Sequence, residues 1–265
     1  MRNLERLNKE RFLKSLKTKY IGRKVIYLEE IDSTNVLGKK LAKGGIEDGS
    51  LIVAETQTRG SGRFNRRCHS PKGGLWFTLI LRPKLLPSEA PKITEIAAAS
   101  MHETLKTLDI ITEVKWPNDL LLNNKKICGI LAEMKCNDTS IDYIILGTGL
   151  NVNIDKKEFN EEIKNKATSL MAECNKHFNK EIILEKFLET FEDLYTKFIT
   201  NNDISQVIDI CRENSSIFGK TGRLIFGDKS ETIKCKDISQ RGNLIVEDSE
   251  GNIKEITSGE VSFHN

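Results

Sequence analysis

Residues 54–83 read AETQTRGSGRFNRRCHSPKGGLWFTLILRP and hold the densest set of chemically capable side chains in the sequence. Four glycines and four arginines fall between an apolar run at 51–55 and a second at 75–81, both of strand length. Glycines so placed let backbone N–H groups approach a ligand closely, while Arg63, Arg66 and Arg67 bring planar donors matched to phosphate or carboxylate. The same composition also fits a surface loop with solvated charge. Further along, Lys115 and Asn118 flank Trp116-Pro117, Lys126 opens an apolar run, and Gly147-Thr148-Gly149 precedes Asn151. No Ser-His-Asp or Cys-His arrangement can be assembled, and Cys68 sits in the basic loop without a credible base. Many donors and no nucleophile point to phosphate-centred chemistry, in which positioning and charge stabilisation carry the rate.

The elements that must hold these residues follow from periodicity. Residues 25–31 have strand character, and Asp32-Ser33-Thr34 then starts a helix that ends at Gly44-Gly45. Ser33 has two compatible roles there, as helix cap and, with Thr34 and Asn35, as a hydrogen-bonding site for a small polar head. The run at 75–81 is apolar throughout, the pattern of a strand buried on both faces, and Trp76 reads as core that could also line an apolar cleft. Residues 93–108 form a helical pattern with Ile96, Ala97, Ala99, Ser100 and Leu105 inward and His102 structural. Leu120-Leu121-Leu122, Asn123-Asn124 and the run at 126–135 predict a hairpin, and Pro117 imposes a special loop before it. A strand at 141–146 is expected to break at Gly147-Thr148-Gly149. Helical segments follow at 182–199 and 204–211, and from Gly222 five short strands with Gly-containing turns predict a small SH3-like barrel.

The chain has 265 residues, 38% of them hydrophobic and 30% charged, enough for one large domain and a small one. A net charge of +3 argues against a nucleic-acid-binding protein, which carries a denser basic footprint. Six cysteines without C-x-x-C or zinc spacing read as free thiols of a reducing cytosol. No apolar run reaches membrane-spanning length, and the charged residues 1–20 lack a signal peptide's apolar core, so a cytoplasmic location is expected. Leu4, Leu7, Phe12, Leu13 and Leu16 recur at helical spacing, predicting a short amphipathic helix packed on the domain behind it.

In order, the motifs Ser33-Thr34-Asn35, Glu55 and Gln57, Gly60 to Arg66, Ser70-Pro71, Gly73-Gly74-Leu75, Lys115 to Leu120, Lys125 to Glu133 and Gly147 to Asn153 resemble the biotin protein ligases. The likeness runs from about Val25 onward, and it implies an α+β fold, a mixed-sheet catalytic domain over residues 1–217 followed by an SH3-like domain over 218–265. It also implies activation of biotin by Mg-ATP to biotinyl-AMP, then transfer to a lysine of a biotin carboxyl carrier domain. Biotin would be bound by Ser33, Thr34, Asn35, Gln57, Ser61, Gly62, Arg63 and Lys126, and ATP by Gly60, Arg63, Lys115, Asn118, Lys126 and Asn151. Arg63 and Lys126 would be catalytic, with the glycine loop mobile and Arg63 its clasp over the adenylate. Magnesium would be held mainly by phosphate oxygens, Asp119 being a weak protein candidate. Some relatives carry a winged-helix repressor module, and about twenty N-terminal residues cannot build one; a monomer or homodimer without specific DNA binding is expected.

The sequence departs from the family at Ser61 for an Arg, Asn65 for a Gly, Cys68 for a Trp and His264 for an Arg, with Arg59 placed to substitute for the missing arginine. The alternatives are a lipoate or octanoate ligase of the same fold and a non-catalytic paralogue. Joint retention of Arg63, Lys115 and Lys126 disfavours the paralogue.

Overall fold

In the computed structural model, residues 7–226 and 229–263 are described, and they build two sheets joined through residues 214–220. The strands of the first are β1 (Val25–Ile31), β2 (Ser50–Gln57), β3 (Leu75–Leu81), β4 (Glu113–Lys115), β5 (Asp119–Leu122), β6 (Lys125–Cys136) and β7 (Ile141–Leu150). Their order is β1-β2-β3-β7-β6-β5-β4, and β1 and β2 alone run parallel, so the sheet is mixed as expected.

Continuous apolar runs in the central strands make sense once both faces are covered. Leu51, Val53, Leu79, Leu81, Ile144 and Leu146 join the core beneath helices α3 (Ala90–Lys106), α5 (Lys180–Asn201) and α6 (Ser205–Glu213), to which the short α4 (Leu170–Cys174) adds Leu170. Ile52, Ile80 and Ile145, one residue out of phase, pack with Ala42 of α2 (Thr34–Lys43) on the opposite face. Phe187, Phe191 and Tyr195 of α5 stack in sequence, and Phe77 meets Phe187 edge-on at 5.1 Å. The helix α1 (Lys9–Ser15) buries Phe12, and its Arg11 forks onto Glu181 of α5; Leu4 lies outside the described residues.

One expectation needs correction. The strand does not break at Gly147: β7 runs through to Leu150, with Gly147 and Gly149 paired to both neighbours, Thr78 and Leu131 for the first, Trp76 and Gly129 for the second. The glycines relieve crowding above the sheet rather than turning the chain. The Asn123-Asn124 turn behaves as expected, both residues lying at positive φ of 52° and 62°.

The second sheet comprises β8 (Thr221–Phe226), β9 (Lys229–Ile238), β10 (Leu244–Asp248), β11 (Ile253–Ile256) and β12 (Glu260–Ser262). It is antiparallel in the order β11-β10-β9-β8-β12, with no pairing between β11 and β12 among the described residues. The five SH3-like strands are therefore found as one antiparallel sheet, and no barrel closure is seen among the described residues. His264 lies outside the described residues. No helix among the described residues is long and apolar enough to cross a membrane.

A buried ion pair fixes α5 to β2. Lys180 Nζ donates to Glu55 Oε2 at 2.5 Å and to the Gly74 carbonyl oxygen at 3.3 Å, while the Tyr27 hydroxyl donates to Glu55 Oε1 at 2.8 Å. Removing one partner strands the other charge away from water. Glu55→Ala is expected to lower unfolding stability by about 3–5 kcal/mol, and Glu55→Leu with Lys180→Met to recover most of that loss, as read by urea denaturation at pH 7. A single substitution costing under about 1 kcal/mol contradicts the account.

Candidate functional site

A cavity of about 300 Å³ opens on the α2 face of the first sheet. Its floor follows from the register. The cross-strand row Trp76, Gly149, Gly129 and the next row Thr78, Gly147, Leu131 lie side by side, so three glycines remove the side chains that would fill the space. An added Cβ at Gly147 would stand 2.2 Å from Asn35 Oδ1, at Gly149 3.0 Å from the Trp76 ring, and at Gly129 2.9 Å from Lys126 Nζ. Gly74 is equally constrained, since its Cβ would fall 1.9 Å from the Trp76 ring, whose Nε1 donates to the Pro71 carbonyl at 2.9 Å. Trp76 is thus both buried and part of the cavity wall.

One end of the cavity is a compact polar network at the start of α2. Gln57 Oε1 accepts from the Thr34 backbone N–H at 2.8 Å and lies 3.0 Å from the Thr34 hydroxyl. Thr78 Oγ1 lies 2.7 Å from Asn35 Oδ1 and 2.8 Å from Thr34 Oγ1, while Asn35 Nδ2 donates to Glu133 Oε2 at 3.1 Å. Ser33 caps the helix with a long contact of 3.5 Å to the Val36 N–H, which leaves its hydroxyl weakly engaged. These groups, pre-oriented by mutual hydrogen bonds, suit a small neutral head with donors and acceptors on both edges.

The other end is cationic. Arg63, Arg66, Arg67, Lys115 and Lys126 line it against two carboxylates, Asp119 and Glu260, so an anion is favoured. Lys126 Nζ sits 2.7 Å from Asp119 Oδ1 in the room left by Gly129. Arg63 spans two elements, donating from Nη1 to Asn118 Oδ1 at 3.0 Å and from Nη2 to the Gly259 carbonyl at 2.6 Å. Burial lowers the pKa of the Arg63 guanidinium, which Glu260 and Asp119 partly offset. Arg66 forks onto Glu260; that hydrogen bond is the leading cause both of the raised Arg66 pKa and of the lowered Glu260 pKa. Asn118 is held by donating from Nδ2 to the Ile130 carbonyl at 3.0 Å, in the loop that follows the cis Trp116–Pro117 bond, and Asn151 donates to the Thr168 carbonyl at 2.9 Å. Between the two ends Trp76, Leu131, Phe159, Ile163 and Ala167 supply apolar wall.

The cavity brings together Ser33, Thr34, Asn35, Gln57, Ser61, Gly62, Arg63, Lys115, Asn118, Lys126 and Asn151. Gly60 stays out of the wall, packed where a Cβ would meet Ser70 Oγ at 2.6 Å. Arg59 is exposed and also outside the wall, so it does not take the place of the arginine missing at Ser61, whereas Arg66 and Arg67 line the cavity. His102 is buried, accepting or donating at 3.0 Å to Thr112, and burial lowers its pKa. The glycine loop, expected to be mobile, carries a 3-10 turn at Arg63–Asn65 and bridges Ser61 to Arg67 and Gln57 to Ser70. Among the described residues no group of three or more His, Cys, Asp or Glu is arranged to hold a metal ion. Both cavity carboxylates already answer a cation.

Comparison with known proteins decides the family. Residues 27–151 match the Biotin/lipoate A/B protein ligase family, and residues 223–264 match the Biotin protein ligase C terminal domain. The Bifunctional ligase/repressor BirA of Bacillus spizizenii is 34% identical over 94% of this chain and 76% of its own length. The chain belongs to the biotin protein ligase family. A biotin protein ligase from Aquifex aeolicus, solved with biotin and ATP, superimposes with a TM-score of 0.77 at 32% identity, covering 91% of this chain and 98% of that one. The Biotin--[acetyl-CoA-carboxylase] ligase of Paracoccus denitrificans is 33% identical over 47% of this chain and 53% of its own length. Within this biotin protein ligase fold, the residues that sequence reasoning missed are the floor glycine Gly129, the apolar Phe159, Ile163 and Ala167, and Glu260, which reaches the cavity from the second sheet.

Arg63 ties the glycine loop to Asn118 and Gly259, alongside the grip of Arg66 on Glu260. Loss of two charge-assisted hydrogen bonds frees the loop to open locally, and Arg63→Ala is expected to speed amide exchange across residues 59–69 by about tenfold or more. Hydrogen exchange read by mass spectrometry measures this, and unchanged protection would show that the loop is held by its own backbone contacts.

Proposed function

We propose that this protein is a biotin protein ligase that makes biotinyl-AMP from biotin and Mg-ATP and passes the biotin to a lysine of a carboxylase's biotin carboxyl carrier domain. The observation that carries the reading is the cavity's division: one glycine floor joins a polar pocket for a neutral head to a cationic pocket for a phosphate, with apolar wall between. Relatives named for biotin and acetyl-CoA-carboxylase support the choice of substrate and acceptor.

In the first step the biotin carboxylate attacks the α-phosphorus of ATP and the bond to pyrophosphate breaks. In the second the neutral lysine amine attacks the acyl carbon and AMP leaves with the anhydride oxygen. We assign Ser33, Thr34, Asn35 and Gln57 to the biotin ring, with Ser61 and Gly62 beside it and Trp76 against the aliphatic tail. Lys126 lies where it can draw carboxylate and α-phosphate together, neutralising charge that builds during attack. Arg63 orients the adenylate, and Lys115, Asn118 and Asn151 serve ATP. Magnesium would enter with ATP and supply charge neutralisation at the phosphates, with Asp119 the cavity carboxylate available beside Lys126.

With labelled biotin, Mg-ATP and an apo carrier domain, the wild-type protein is expected to label the carrier, and lipoate in a parallel reaction to fail. Lys126→Ala should cut pyrophosphate release by about 10² to 10³ with the fold intact. Near-normal release would remove Lys126 from its role. Gly147→Ala displaces Asn35 and should weaken biotin binding by about tenfold or more in calorimetry while the protein still folds.

A further inference from the structure

Glu95, on the inner face of α3, is a buried carboxyl that the cavity chemistry does not use. It stands where three elements meet. Its Oε1 lies 3.3 Å from Trp116 Nε1, which also donates to the Gly242 carbonyl at 3.1 Å. Its Oε2 has no hydrogen-bond partner and presses on the same turn of the second sheet, where Gly242 has φ +86° and an added Cβ would come within 2.3 Å of it. Trp116 sits between Lys115 and the cis peptide that leads to Asn118, two residues of the cationic end. We propose that Glu95 is a positioning residue, which through Trp116 and the Gly242 turn docks the second sheet on the catalytic loop and sets Lys115 and Asn118 for ATP. This rests on the assignment of those two residues to ATP.

A carboxylate so placed would have the Trp116 indole as a long donor on Oε1 and no donor on Oε2, which disfavours the charged form. Burial raises the Glu95 pKa to about 8, opposed by the Trp116 hydrogen bond and by Lys92 of its own helix. From α6 the Cys211 thiol is the titratable group that faces it, its own pKa raised by burial and by Glu95; Trp116 and the Gly242 turn contribute an indole and backbone. The proton that Glu95 keeps gives stability that is whole below about 4.5 and falls away as pH rises to about 8. The joint should therefore loosen in mild alkali, and ATP binding with it.

The test compares wild type, Glu95→Gln and Glu95→Ala. At pH 7 Glu95→Ala is expected to raise the ATP KM by about tenfold with biotin Kd within about twofold, and Glu95→Gln to stay within about threefold of wild type on both. Between pH 7 and 9, kcat/KM for ATP of wild type should fall relative to Glu95→Gln by about tenfold. The melting temperature of wild type relative to Glu95→Gln should also fall from pH 5 to pH 8. An unchanged ATP KM in Glu95→Ala overturns the positioning role, and so does an ATP KM in Glu95→Gln as poor as that of Glu95→Ala. Parallel pH profiles or parallel melting curves overturn the role of the proton. Should the wild type form no biotinyl-AMP at all, the ligase reading fails, and the melting curves still decide whether Glu95 holds the joint.

Discussion

A row of missing side chains sets most of what this structure can do. In a sheet covered on both faces, each strand position carries a side chain toward one helix layer or the other, and the space between layers closes. On the α2 face that closure is prevented at Gly129, Gly147 and Gly149, three neighbours on two strands. Glycine weakens a strand by giving it nothing to pack, and the deficit is made up around the cavity: by Trp76 lying over Gly149 and Gly74, by Asn35 set above Gly147, and by the apolar opposite face of the same strands. The hollow is a deliberate opening in an otherwise close-packed layer, and its outline is drawn by residues that touch the glycines.

The charges of the cationic end are arranged with equal economy. Five cations crowded on one another would repel, and two carboxylates, Asp119 on Lys126 and Glu260 on Arg66, relieve this while leaving a positive excess for an incoming anion. Arg63 answers to neutral oxygens instead, those of Asn118 and Gly259, so its full charge is still available to a ligand. Carboxylates that hold cations in place and carbonyls that aim one without neutralising it are distinct uses of an acceptor, and the site uses both.

Much of this was readable from sequence because its signals are local. The bounds of β1 and β3 follow from apolar runs, the start of α2 from Ser33 before a periodic segment, and the hairpin at Asn123-Asn124 from turn chemistry. The same likeness that named the family placed eleven of the candidate residues on one cavity. What escaped was non-local. A glycine that ends a strand and one that continues it beneath a ligand are identical in sequence, and only pairing on both sides distinguishes Gly147. Glu260 reaches the cavity from a strand nearly 200 residues beyond Arg66, and no periodicity records that. Arg59 illustrates the opposite error: spacing along an extended chain set it to stand in for the arginine missing at Ser61, but β2 ends at Gln57, the chain bends at 58–59, and Arg59 lies exposed outside the cavity wall.

The grip of Arg63 on Gly259 also has a bearing on how the protein is made. Chains fold as they leave the ribosome, early segments first. The mixed sheet and the glycine loop are complete once the residues up to Asn214 have emerged, yet the guanidinium at position 63 meets its second acceptor only when residue 259 has been added. The wall of the cavity is thus finished only after the second sheet has been synthesised, and a nascent chain holds the first sheet in place well before it holds the site.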